Sequence, residues 1–291
     1  MTDTPAELTK KLSAAVEKMP AFPKSVQRIL ELTRDINCPP KELITVIEKD
    51  PVMTVKLLRL LNSAYYNFPK QITSVNQSVV YLGLNTVKNM ALSFAAMGVL
   101  PQQNAAGFDV QRYLMHSLTT ASLARTLCQK YGDDETDPAD CYITGLLHDF
   151  GKVVFAQFLA AEFKDALTRS AEHSISLHAA EQQIIGADHT VVGSMLVEKW
   201  QFPKQLTENI RHHHSDISPD NTIRSCLFVA DQISKQLSMG YGGNTIVEEL
   251  SPDLANHFGG QLQDIIASLG DLSKIENEAQ VFAQASKEIS A

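Results

Sequence analysis

Residues 145–155, GLLHDFGKVVF, set His148 beside Asp149 with Lys152 three positions on, inside a run that is otherwise apolar. Charged groups in such surroundings are costly unless they are paired or bound to a metal. Other imidazoles and carboxylates keep similar company. His116 lies mid-helix among Thr119, Thr120 and Leu123, His189 starts a helical pattern, and His212, His213 and His214 end one. Asp231 interrupts the apolar stretch CLFVADQI at 226–233. Neutral imidazole with carboxylate suits iron, manganese or zinc, and one carboxylate can bridge two ions through its two oxygens. Two ions roughly 3.5–4 Å apart can hold a phosphoryl group and activate a water.

Taken singly, each residue also has a plainer role. An HD dipeptide recurs by chance in unrelated chains, and a lone His116 fits a hydrogen-bonded core histidine. The 212–214 triplet would complement the negative end of its helix, and Asp231 could pair with Lys235 one turn on. His173, His178 and His257 are expected at the surface. Only a helical bundle converging at its centre would bring the remaining positions together.

The elements that would do so are helical, and no strand alternation stands out. Pro51 follows Asp50 at a favourable first position, and Val52, Val55, Leu57, Leu58 and Leu61 form a helical stripe. Asn85 is a candidate cap for a helix over 86–97. The polar break PQQNAAGFD at 101–109 predicts a subdomain boundary, followed by a long helix over 110–132. Asp137 and Pro138 start the next helix, which runs through the HD fragment and is expected to bend or end near Gly151. Further helices are predicted over 176–185 before Gly186, over 189–200 capped by Asp188, over 203–214 opened by Pro203, and over 223–237 capped by Thr222. The tail carries an amphipathic stretch with Leu262, Ile265, Ile266, Leu269 and Leu272. The reading is all-α in three parts: an N-terminal helical half at 1–106, a helical bundle at 107–240 with the candidate site, and a C-terminal helical tail at 241–291.

Composition narrows the function classes. At 291 residues, with 44% hydrophobic and 20% charged residues, the chain is an ordinary folded protein with room for a sizeable core. Its formal net charge of -8 argues against non-specific binding to DNA, RNA or anionic lipid. Cys38, Cys128, Cys141 and Cys226 are scattered without a CxxC pair, which suits buried thiols in a reducing compartment. The polar start lacks the apolar core of a signal peptide, and the run at 90–100 is too short to span a bilayer. A soluble, cytoplasmic protein is expected.

The order His116, His148-Asp149, Asp231 resembles the signature of the HD superfamily of metal-dependent phosphohydrolases. The added His189 and His213-His214 resemble its two-metal subset, which includes the HD-GYP cyclic-dinucleotide phosphodiesterases. The stretches MPAFPKSVQRILELTRD at 19–35, ELITVIEKDPVMTVKLLRLLNSAYY at 42–66 and ITSVNQSVVYLGLNTVKNMAL at 72–92 resemble the HDOD family, a bacterial signalling relative of the HD domain. So do GLLHDFGK at 145–152, EQQIIGADHTVVGSMLVEKWQFP at 181–203 and IRHHH at 210–214, and the likeness extends over roughly residues 19 to 237.

The resemblance implies an all-α, HD-superfamily helical bundle with an N-terminal helical subdomain and a role in signal transduction. Carried over by position, it implies one divalent ion on His116, His148, Asp149 and Asp231. A second ion would sit on His189, His213 and His214, with Asp149 bridging. Lys152 would contact a substrate phosphate or protonate a leaving group; His212 is excluded. The chain departs from HD-GYP enzymes after His214, where SDISPDN replaces the Gly-Tyr-Pro run. It departs again one turn before His116, where Arg112 stands in place of a carboxylate that could help bind a third ion. The expected function is a two-metal phosphohydrolase acting on a phosphoester such as a nucleotide or cyclic dinucleotide. The alternatives are a non-catalytic signalling module that binds a partner protein or small ligand and keeps a structural or vestigial metal site, and an oxidative two-iron enzyme.

Overall fold

The computed structural model describes residues 6–33 and 39–287, and Cys38 lies outside them. Seventeen helices and no strand occur among the described residues. They are α1 (Ala6–Lys18), α2 (Lys24–Thr33), α3 (Pro40–Glu48), α4 (Pro51–Leu61), α5 (Val75–Leu82), α6 (Leu84–Gly98), α7 (Val110–Tyr131), α8 (Pro138–Leu147) and α9 (Phe150–Phe158). There follow α10 (Ala160–His173), α11 (Leu177–Ile184), α12 (His189–Lys199), α13 (Lys204–Arg211), α14 (Thr222–Gln236), α15 (Pro252–Phe258), α16 (Leu262–Leu269) and α17 (Ser273–Lys287). No helix is long and apolar enough to cross a membrane.

Short polar side chains set several helix starts. Asp50, Asp109, Asp137 and Asp188 accept hydrogen bonds from first-turn amides of α4, α7, α8 and α12, satisfying donors that the helices cannot. Asn221, not Thr222, caps α14 by accepting from the Arg224 amide. Asn85 falls inside α6, which starts after Gly83. On α4 the buried face is Met53, Leu57, Leu60 and Leu61, a true 3.6-residue stripe, whereas Val52 and Val55 are exposed.

The chain divides into two compact units, each discontinuous in sequence. One joins α1 to Leu100–Leu272, and the other joins Ala21–Val99 to α17. One division between the units falls at Val99–Leu100, just before the polar break at 101–109. The ends differ from the three-part expectation, because α1 packs with the central bundle and the tail splits between units. In the first unit α7 is the central helix, packed against α8 and α14, while α12 packs on α9 and α1. Trp200, 1% exposed, meets Phe150 edge-on at 5.5 Å and donates its indole N–H to the Pro20 carbonyl at 3.0 Å. Lys199 Nζ donates to the carbonyls of Val16, Glu17 and Met19, supplying positive charge at the C-terminal end of α1. In the second unit α17 packs on α4 and α6, with Phe94 and Phe282 rings 5.4 Å apart.

Candidate metal centre

The helix expected to run through the HD fragment breaks inside it. α8 stops at Leu147, and Asp149, at φ -99 and ψ 7, precedes the first residue of α9. The break thus comes before Gly151, whose role is contact: a Cβ there would lie 2.0 Å from the His189 carbonyl oxygen. The missing side chain lets α9 lie directly against the start of α12, which brings Asp149 to His189.

Asp149 is the hub. Its Oδ2 lies 3.5 Å from His116 Nε2 on α7, 3.3 Å from His148 Nε2 and 2.5 Å from Lys152 Nζ. Its Oδ1 lies 3.1 Å from His189 Nε2 and 3.8 Å from His213 Nε2. Asp231 on α14 places Oδ1 3.2 Å from His116 Nε2, and His214 Nε2 is 3.0 Å from His189 Nε2. The two oxygens of one carboxylate thus face two separate groups of imidazoles.

A surrounding layer orients these rings. His148 Nδ1 pairs with the Gly145 carbonyl at 2.8 Å, and His213 Nδ1 with the Ile210 carbonyl at 2.7 Å. Glu181 Oε2 accepts from both the His189 amide, at 2.9 Å, and Nδ1, at 2.6 Å. In each case Nδ1 is engaged by an acceptor and Nε2 is turned inward, the orientation a metal ligand needs. Lys235 Nζ, at 2.6 Å, and the Gln232 amide, at 3.0 Å, both donate to Asp231 Oδ2 and leave Oδ1 for the centre. The Asp231–Lys235 pair anticipated as a plain alternative therefore exists, and it holds the same carboxylate that meets His116.

The electrostatics are those of a buried charge cluster. Burial works to raise the Asp149 pKa, but His148, Lys152 and His189 outweigh it and hold the carboxyl well below its usual range. Burial likewise opposes ionisation of Asp231, and Lys235 and His116 overcome it, so its pKa is lowered. His189 resists burial through Glu181 and Asp149, and its pKa rises to about 9. Burial dominates at His213, lowered to about 4, and at His214, held well below its ordinary value.

The residues fit a metal. His116 Nε2, His148 Nε2, His213 Nε2 and Asp149 Oδ1 are buried and have no hydrogen-bond partner. They approach one another within ion-pair range but not in hydrogen-bonding geometry. Each unsatisfied buried group costs about 1–3 kcal/mol, and a divalent ion would satisfy several at once. Two groupings have the right spread: Asp149 with His189, His213 and His214, and His116 with His148 and Asp231.

All seven residues singled out as candidate ligands, His116, His148, Asp149, His189, His213, His214 and Asp231, converge with Lys152 in one place. His212 stands apart, 3.6 Å from Glu208 and from Asp216, and His173 and His257 are exposed. His178 is not the surface residue expected. It is half-buried, with its ring stacked 4.2 Å from that of His214, because α11 packs back toward the 212–214 turn. Sequence reasoning missed Glu181, Gln232 and Ser234, whose hydroxyl meets His116 Nδ1 at 3.1 Å. Glu181 on an amphipathic helix reads as a solvated residue, yet its side chain is fully buried.

Relatives share this architecture. A Geobacter sulfurreducens structure, an HDOD domain protein with unknown function, aligns over 96% of this chain and 98% of its own, with a TM-score of 0.78 at 24% identity. A candidate phosphohydrolase from Shewanella amazonensis covers 96% and 98% with a TM-score of 0.67 at 20% identity. An uncharacterized protein of Treponema pallidum is 28% identical over 212 residues, and this chain spans 40% of its length. The HDOD domain family matches residues 19–216, which include every residue of the centre except Asp231 and its neighbours on α14. The chain belongs to the HDOD domain family.

Proposed function

We propose that this chain is a signalling phosphohydrolase that uses two divalent ions to cleave a phosphoester such as a nucleotide or cyclic dinucleotide. The observation that carries the reading is Asp149, whose Oδ2 faces His116 and His148 while Oδ1 faces His189 and His213. His116, His148, Asp149 and Asp231 would hold one ion. His189, His213, His214 and Asp149 would hold the other. Iron, manganese and zinc all suit these donors. When bound, the ions would supply an activated water and neutralise charge on the phosphoryl oxygens.

The chain's own residues do the rest. Glu181, Gly145 and Ile210 keep Nε2 of His189, His148 and His213 turned inward. Lys152 now rests its ammonium on Asp149 Oδ2, in the place of a cation. Ion binding there would release it toward a phosphate oxygen or the leaving group. Lys235 holds Asp231 ionised and leaves one carboxylate oxygen for the ion.

A second reading, a non-catalytic signalling module with a structural metal, is favoured by one feature. Gly242 lies so close to the centre that a Cβ there would be 3.0 Å from His116 Nε2 and 3.1 Å from Asp149 Oδ2. Metal content of protein purified without oxygen, compared with Asp149→Ala, tests the centre. Hydrolysis of bis(4-nitrophenyl) phosphate by the loaded protein separates the readings. Two ions per chain lost in the variant, with turnover, support the hydrolase. Two ions without turnover on this probe or on cyclic dinucleotides support the module, and no ion after reconstitution overturns the hydrolase and leaves a module with a vestigial site.

A further inference from the structure

After α14 the chain does not leave the site. Residues 240–248 run across it as an irregular strap. The Tyr241 amide donates to the Arg112 carbonyl at 2.9 Å, and the Arg112 guanidinium lies 4.9 Å over the Tyr241 ring. A Cβ on Gly240 would lie 2.2 Å from the His116 amide nitrogen, and Gly242 lies against the His116 ring and Asp149. Arg112, standing where a carboxylate could have served a third ion, thus anchors the strap. Further along, the Glu248 amide donates at 2.7 Å to Gln232 Oε1, whose Nε2 donates to Asp231. The strap is tied at both ends to residues that build the centre.

Its far end brings a carboxylate to two imidazoles. Ligand atoms of His178, His214 and Glu248 all lie within 4.8 Å of one another. His178 and His214 are stacked at 4.2 Å with planes 24° apart. His214 turns Nε2 toward His189 at 3.0 Å, and its Nδ1 is buried without a hydrogen-bond partner. A buried ring nitrogen with no partner, beside a second imidazole and a carboxylate, is in the position of a ligand without its ion. His178 meets the Ser176 hydroxyl at 3.2 Å, and the Glu248 amide, not its carboxylate, is bound to Gln232, the carboxylate being left to the field of the Lys235 ammonium.

We propose that His178, His214 and Glu248 form a separate divalent-cation site that pins the strap over the Asp149 centre. Two imidazoles and one carboxylate are a three-ligand set for a borderline ion such as zinc or manganese, with a remaining position open to water. The proposal rests on the two-ion reading through His214 alone, which offers Nε2 to the centre and Nδ1 to the new ion. Holding both, the ring gives up its remaining N–H proton to solvent. The ion then acts as a latch: bound, it holds residues 240–248 against His116 and Asp149; released, it frees the strap and opens the centre.

The test uses the full chain, stripped with chelator and reconstituted with manganese alone, with metal counted per chain by mass spectrometry. The wild type should hold three ions, and Glu248→Gln and His178→Asn two each, with urea midpoints unchanged enough to show folding. Chymotrypsin should cut after Tyr241 slowly in the loaded wild type, and Glu248→Gln should lose that protection. Two ions in the wild type and in both variants overturn the latch and leave the two-ion reading intact. One ion that survives Asp149→Asn but disappears in Glu248→Gln sustains the latch and overturns the two-ion reading. No ion in the wild type overturns both.

Discussion

Replacing Gly151 by Ala probes the contact on which the centre depends. The added methyl would lie 2.0 Å from the His189 carbonyl oxygen, 2.8 Å from the carbonyl carbon and 2.9 Å from Cα. Ordinary contacts between such atoms are about 3.5 Å, so α9 and α12 must part by about 1.5 Å. The opposing atoms are backbone and cannot rotate aside. Overpacking of this kind costs about 1–3 kcal/mol, and the gain in helix propensity of Ala over Gly offsets at most about 1 kcal/mol. A net destabilisation of about 1–2 kcal/mol follows. The same parting moves His189 from Asp149, now 3.1 Å away, and metal affinity should fall about 10–100-fold, as when a ligand's support is disturbed. Urea unfolding of the metal-free protein and chelator competition read the two effects separately. Gly193→Ala is the control. Its methyl would sit 3.3 Å from the Gly151 nitrogen and 3.6 Å from the Ile210 side chain, a mild crowding that the helix propensity of Ala offsets, so stability should change by about 1 kcal/mol or less. A Gly151→Ala protein as stable as wild type, with unchanged metal affinity, would refute the close-approach argument.

Other perturbations follow from the same geometry. The metal-free protein should be most stable near pH 6.5. His189, with its folded pKa raised to about 9, contributes stability that is fully present below its unfolded value and lost as pH rises through 9. His213, lowered to about 4, stays neutral while the unfolded chain takes up a proton, so stability also falls from pH 6.5 toward 4. Each limb amounts to about 3 kcal/mol, and a flat profile of urea midpoints from pH 4 to 9 would contradict both assignments. Lys235→Met leaves Asp231 buried without its cation and should cost about 3–5 kcal/mol in the metal-free protein, with a smaller loss once metal is bound; equal losses would show that Asp231 does not face the ion. Asp109→Ala removes the acceptor for the Gln111 and Arg112 amides at the start of α7 and should lower stability by about 1 kcal/mol without changing metal content.

The sequence by itself determined most of the helices and the residue types that gather at the candidate centre. Pro51 after Asp50, Pro138 after Asp137 and Asp188 before His189 are local capping signals, and a helix start depends on the few residues around it. His116, His148, Asp149, His189, His213, His214 and Asp231 were legible because such side chains are costly in apolar surroundings and so mark a compensating partner. What only the tertiary structure decided depends on which helices touch. Val52 and Val55 looked like core until α4 showed which face its neighbours cover. Glu181, polar on an amphipathic helix, became a buried support for His189 because α11 lies beside the start of α12. Gly151 looked like a helix bend and is instead the gap that admits a backbone carbonyl. His178 and Glu248 acquire meaning only through a fold that returns the chain over the site after α14. Periodicity records which way a side chain faces on its own element, while burial and partnership are properties of the pair of elements that meet.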